Sequence, residues 1–338
     1  MRFGVFDHVD RNARVPLGEF YADRLALVEE YDRSGFYGYH VAEHHATPLG
    51  LAPSPSVYLS AVAQRTKRLR FGPLVYTLPL YHPIRLLDEI CMLDQMSGGR
   101  LLLGIGRGIS PLELRYWGLD PETGPEQFAE ARDLILRGLQ SDRLTFEGKY
   151  YSFHDFPIEV PPAQKPFPSL WYGLSRPETI GWCVEHNVNV VTNMAPQPTR
   201  QITDRYRAAW QSAGRPESAM PMMGFTRHLV IARTDKEAYE IARPNYARWR
   251  DSFLKLWRKH DVYPPNVASL APDTLEGAEE LGRAVIGSPE KIRAIFARQI
   301  EESGVNYVLC RFAFGDISRD EAQQSVRLFT NEVMPAFA

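Results

Sequence analysis

Short apolar, β-branched or aromatic runs alternate with amphipathic stretches of helical period along the chain, and no other feature limits the possible folds as much. Strands are predicted at 2–6, 37–42, 69–76, 100–105, 169–173, 188–193, 223–231 and 305–312. Helices are predicted between them at about 19–33, 55–66, 83–97, 126–140, 177–186, 199–213, 235–259 and 289–303, with 319–334 after the last strand. Eight strands each followed by a helix favour a closed (β/α)8 barrel of the α/β class, a TIM barrel, over an open doubly wound sheet. Ser34-Gly35 and Gly98-Gly99 stop two of the helices, and Ser288-Pro289-Glu290 starts another. Two stretches depart from the repeat. Residues 141–168 read as a β-hairpin followed by a Pro-rich crossover. Residues 260–287, with Pro264-Pro265, Gly277, Gly282 and Gly287, read as a long polar insertion of the kind that serves as a lid. With no internal repeat or low-complexity tract, residues 1–338 are expected to form a single domain.

Composition excludes several classes of function. Of the 338 residues 44% are hydrophobic and 24% charged, which suits a well-cored globular protein rather than a disordered one. Lys and Arg number 39 against 41 Asp and Glu, so no excess of cations is present to hold nucleic acid. Apolar runs such as Leu101-Leu102-Leu103 are far too short to cross a bilayer. Met1 leads straight into the strand Arg2-Phe3-Gly4-Val5-Phe6, so no signal peptide is expected. Cys91, Cys183 and Cys310 are widely spaced within apolar segments, which suits reduced core residues and a cytoplasmic protein.

In a barrel of this kind the reacting groups stand at the C-terminal ends of the strands. Glu43-His44-His45 follows the second strand and offers three ionisable groups in a row, with His able to change charge near neutral pH. With His82 they could also serve as metal ligands, but neighbouring side chains leaving a strand point apart, so no metal is assigned. After the fourth strand, Gly104-Ile105-Gly106-Arg107-Gly108 fails the dinucleotide pattern, being GxGxG with no acidic residue beyond. Its glycines would let the backbone approach a flat or anionic ligand, and the planar fork of Arg107 suits phosphate. After the fifth strand, Gly173-Leu174-Ser175-Arg176-Pro177-Glu178-Thr179 opens a helix with hydroxyls, an arginine and free N–H groups, again suited to an anion. Two phosphate-suited rims favour a phosphate-bearing cofactor.

Four motifs resemble the bacterial luciferase-like flavin-dependent monooxygenases, the luciferase α subunit in particular: Ala42-Glu43-His44-His45, Leu78-Pro79-Leu80-Tyr81-His82-Pro83-Ile84-Arg85, Leu93-Asp94-Gln95-Met96-Ser97-Gly98-Gly99-Arg100 and Gly104-Ile105-Gly106-Arg107-Gly108. The resemblance implies a TIM barrel and an FMNH2-dependent monooxygenase. FMN would arrive reduced from a separate NAD(P)H-dependent flavin reductase, form a C4a-peroxyflavin with O2, and oxygenate a small apolar organic substrate. It implies that His44 is the acid/base, supported by Glu43 and His45. Leu74 and Val75 match the family's non-prolyl cis peptide beside the flavin ring, and Arg107, Ser175, Arg176 and Thr179 match its phosphate site. The 260–287 insertion matches the family's mobile active-site loop. The luciferase cysteine position is Gly106 here, which implies open space near the ring and speaks against light emission. A homodimer packed through helices around the second and third strands is also implied. Two alternatives are an F420-dependent oxidoreductase, opposed by the adjacent His44 and His45, and a non-catalytic flavin-binding subunit, opposed by the retained His44.

Overall fold

Ten parallel strands form one curved sheet in the computed structural model, which describes residues 1–264 and 266–337. In chain order the strands are β1 (Arg2–Asp7), β2 (Gly38–Val41), β3 (Arg70–Pro73), β4 (Tyr76–Thr77), β5 (Leu102–Gly106), the hairpin β6 (Arg143–Glu147) and β7 (Ser152–Pro157), then β8 (Ser169–Gly173), β9 (Asn189–Thr192), β10 (Met223–Ile231), β11 (Ala284–Gly287) and β12 (Tyr307–Arg311). The sheet runs β3-β2-β1-β12-β10-β9-β8-β5-β4, and a bridge from Phe71 to Leu101 brings its two ends together as a barrel. All eight predicted strands are present, the third broken into β3 and β4 around Leu74 and Val75. The helices wrap the outside: α1 (Leu17–Arg33), α2 (Pro55–Arg65), α3 (Pro83–Ser97), α4 (Pro111–Tyr116), α5 (Gly124–Gly138), α6 (Ile180–Glu185), α7 (Pro196–Ser212), α8 (Asp235–His260), α9 (Val267–Leu270), α10 (Leu275–Glu280), α11 (Pro289–Ser303) and α12 (Arg319–Leu328).

The 141–168 stretch contains the expected antiparallel hairpin β6-β7, followed by a crossover with a cis Lys165-Pro166 bond. The 260–287 stretch is more structured than its composition implies. It holds α9, α10 and the fully buried strand β11, which pairs with the second half of β10 from His228 to Ile231; Pro265 lies outside the described residues. A four-residue Ala-Val-Ile-Gly strand after Gly282 carries too little period to stand out from a loop.

Alternation along the strands sorts side chains between two cores. Outward-facing Val5, Val41, Phe71 and Leu103 pack under the helices, and the buried Arg24 of α1 reaches Asp7 at 3.1 Å. Inward-facing Phe6, Leu102, Trp171, Val191, Tyr307 and Leu309 fill the lower barrel. His40 joins them, 3.1 Å from the Tyr307 hydroxyl and 4.6 Å from the Trp171 ring, and burial pushes its pKa down to about 3. The interior is therefore plugged, and only its C-terminal mouth is left for a site. The three cysteines are buried and unpaired, and no helix among the described residues is long and apolar enough to cross a membrane.

Candidate active site

Two carboxylates, Glu43 and Glu113, fix the segment after β2. Glu43 is buried; its Oε1 lies 2.8 Å from His45 Nε2 and its Oε2 accepts the Thr77 N–H at 2.8 Å. Burial raises the Glu43 pKa, opposed by these hydrogen bonds and one from Tyr81. His44 turns the other way. Its Nδ1 is 3.1 Å from Glu113 Oε1, while Glu113 Oε2 accepts the His45 backbone N–H at 3.2 Å. The two imidazoles thus face different carboxylates, and His82 packs instead against Tyr151 and Phe153. Among the described residues no cluster of three His, Cys, Asp or Glu side chains could hold a metal ion.

Glu113 stands where it does because Ser110 caps α4, accepting the Glu113 N–H at 3.4 Å, and Pro111 opens the helix. The opposite wall of the mouth is aromatic. The His8 ring lies 5.7 Å from the His44 ring and 6.0 Å from Trp249, whose indole N–H donates to His8 Nδ1 at 3.4 Å. Burial, then the charge of Arg311, holds the His8 pKa well below its ordinary value. Between α4 and α8 a cleft runs from His44 and Glu113 to Leu49, Ile109, Phe253 and Trp257. Trp117 closes on His45 with ring centroids 4.3 Å apart.

Pairing of β5 with β8 sets the ends of those strands side by side, and the charges of Arg107 and Arg176 both act on Tyr172. Arg107 and Thr179 are half-buried and Ser175 and Arg176 exposed; among the described residues the side chains of Arg107, Ser175 and Arg176 take no hydrogen bond. A Cβ added at Gly173, which ends β8, would meet no heavy atom within 4 Å. That is space and donor chemistry suited to a flat ligand ending in a phosphate. Leu74 and Val75 are half-buried and joined by a cis peptide bond. One expectation is overturned. Gly106 does not open space, since a Cβ there would collide with Cγ2 of Val75, which already occupies it.

Glu113, His8, Trp249 and Arg311 join the site in the fold without standing out in the sequence. His8 and Arg311 directly follow or end strands of the barrel, so the strand-end rule that picked out His44 applies to them equally. Glu113 is 69 residues from His44, and only the fold brings them together.

A family profile described as luciferase-like monooxygenase matches residues 1–307. The chain belongs to this family. An uncharacterized protein, y4wF, of Sinorhizobium fredii is 38% identical, covering 99% of this chain and 96% of that protein. The oxygenase component of the flavin-dependent trigonelline monooxygenase of Acinetobacter baylyi is 25% identical, covering 100% of this chain and 96% of its own. Among solved structures, the oxygenating constituent of 3,6-diketocamphane monooxygenase from Pseudomonas putida, a type II Baeyer-Villiger monooxygenase in complex with FMN, shares the fold with TM-score 0.82 and 21% identity, covering 99% and 98% of the two chains. The barrel therefore has the fold and the family of the luciferase-like monooxygenases.

Proposed function

We propose that this chain is the oxygenase half of a two-component system, a monooxygenase that takes reduced FMN from a separate NAD(P)H-dependent flavin reductase and oxygenates a small organic substrate. The observation that carries this reading is His44 held by Glu113 through Nδ1 at the mouth of the barrel, beside a cleft lined by Ile109, Phe253 and Trp257. With Nδ1–H donated to the carboxylate, Nε2 is the nitrogen that takes or gives a proton. Glu43 and His45 brace the segment from behind. Arg107, Ser175, Arg176 and Thr179 would hold the FMN phosphate, with Leu74, Val75 and Gly106 against the ring. Bound reduced flavin supplies the activation of O2. The apolar side chains of Ile109, Phe253 and Trp257 keep bulk water from the reacting atoms.

Exposed Val57, Met92 and Met96 on α2 and α3 support pairing of two copies through those helices, with all of 1–338 acting as one barrel unit. The function is tested by supplying a generic flavin reductase, NADH, FMN and 18O2 and screening small aldehydes, terpenes, ketones and carboxylates. One 18O atom entering a product only with the protein present is the expected result. Flavin oxidation without labelled product across the screen would count against the reading.

A further inference from the structure

Three arginines are buried in or against the barrel wall without a carboxylate partner among the described residues: Arg227, Arg283 and Arg311 are 0%, 6% and 5% exposed. Arg227 turns outward, giving Nε–H to Gln299 at 2.8 Å and Nη1–H to the Thr226 carbonyl at 2.8 Å. Arg311 turns inward at the end of β12. Its guanidinium lies 4.9 Å from the Phe6 ring, its Nη2 donates to Thr226 Oγ1 at 2.8 Å, and its Nε has no partner. Arg283, before β11, donates from Nη2 to Ser269 Oγ at 3.2 Å and leaves Nε and Nη1 unpartnered. Among the described residues the carboxylate whose charge supports that of Arg311 is Asp10, whose Oδ2 accepts the Gly315 N–H at 2.6 Å and whose Oδ1, 3.6 Å from Arg24, takes no hydrogen bond.

A buried guanidinium without a counter-ion is strongly unfavourable unless something else neutralises it. The surroundings do the opposite. Burial and then Arg283 work against the charge on Arg311, and burial and then Arg311 lower the pKa of His228, whose Nε2 also lacks a partner. His228 stands opposite Arg311 in the register of β10 and β12, and its ring lies 4.3 Å from Trp249, which donates to His8. Phe6, beneath Arg311, is 5.0 Å from His8, and His8 is 5.7 Å from His44. The unsatisfied donors therefore adjoin the aromatic wall of the candidate active site.

We infer that Arg311, with His228 and the neighbouring charge of Arg283, forms an anion subsite in the barrel mouth that holds the carboxylate of the organic substrate. The inference rests on the monooxygenase reading for the fate of that substrate, and it narrows the substrate class from an apolar molecule to an apolar carboxylate. The Arg311 guanidinium takes the charged end of such a molecule, beside the aromatic wall of Phe6, His8 and Trp249.

Titration calorimetry of the flavin-free protein with benzoate, phenylacetate and octanoate, each against its own amide, tests this. At least one carboxylate is expected to bind about 10-fold or more tightly than its amide, as for a charge-assisted hydrogen bond. Arg311→Gln should abolish that preference while leaving affinity for reduced FMN within about 2-fold, and Arg283→Gln should reduce it. Equal binding of every acid and amide by the wild type overturns the subsite, whatever the variants do. Loss of FMN affinity in Arg311→Gln with the carboxylate preference intact also overturns it. Because no flavin is present in the acid titrations, a carboxylate preference in a protein that fails to bind reduced FMN would sustain the subsite and condemn the monooxygenase reading alone.

Discussion

Glu113 Oε1 lies 3.1 Å from His44 Nδ1, and Glu113 Oε2 accepts the backbone N–H of His45 at 3.2 Å. One carboxylate from the short helix after β5 thus ties down both the ring and the main chain of the segment after β2. A carboxylate on Nδ1 selects the tautomer and supports charge on the ring when Nε2 takes a proton.

Glu113→Gln keeps the size and the acceptor for the His45 N–H but removes the charge from His44. Substrate oxygenation should fall by about 10-fold or more, mainly in kcat, with little change in melting temperature. Steady-state kinetics beside a thermal melt check this; an unchanged kcat would remove Glu113 from the site.

His44→Ala should fold normally and bind reduced FMN, because the residue sits at the rim and contributes little core burial. Product formation should drop by about 10²-fold or more, the scale of a lost acid/base. Labelled-oxygen incorporation and flavin titration on the same preparation separate the two effects.

The fold was legible because its signal is repeated: eight apolar runs, each with its amphipathic partner, placed every strand of the predicted barrel within a few residues. β11 escaped because four residues between glycines show no period. The site was half legible. His44, Arg107 and Ser175 announce themselves as polar groups just past apolar strands, and Arg311, which ends β12, is open to the same rule, whereas Glu113 gains meaning only from a partner 69 residues away. Space was the least legible property. Gly106 reads as a gap in the sequence, yet Val75 fills it through the break in the third strand.

Gly106→Ala should therefore be costly, since the new methyl meets Val75 between two closely spaced strands. We expect a loss of about 1–3 kcal/mol in urea unfolding together with weaker flavin binding as Val75 is displaced. A variant as stable and as tight-binding as the wild type would contradict this close approach.

Arg107→Ala should weaken reduced FMN by roughly 1.5–3 kcal/mol, the worth of a charge-assisted hydrogen bond. Reduced riboflavin, lacking the phosphate, should bind wild type and variant nearly equally in the same fluorescence titration. Equal losses for both flavins would show that Arg107 does not read the phosphate.

The central claim is that the barrel mouth binds reduced FMN and presents it to O2. Anaerobic titration of the purified protein with photoreduced FMN and, separately, reduced F420, followed by mixing with oxygenated buffer in a stopped-flow spectrometer, tests it most directly. Saturable binding of reduced FMN, tighter than that of oxidised FMN or of F420, with bound flavin consuming O2 on a time course distinct from free FMNH2, is the expected result. Failure to bind reduced FMN, or preferential binding of reduced F420 without reaction with O2, would contradict the account.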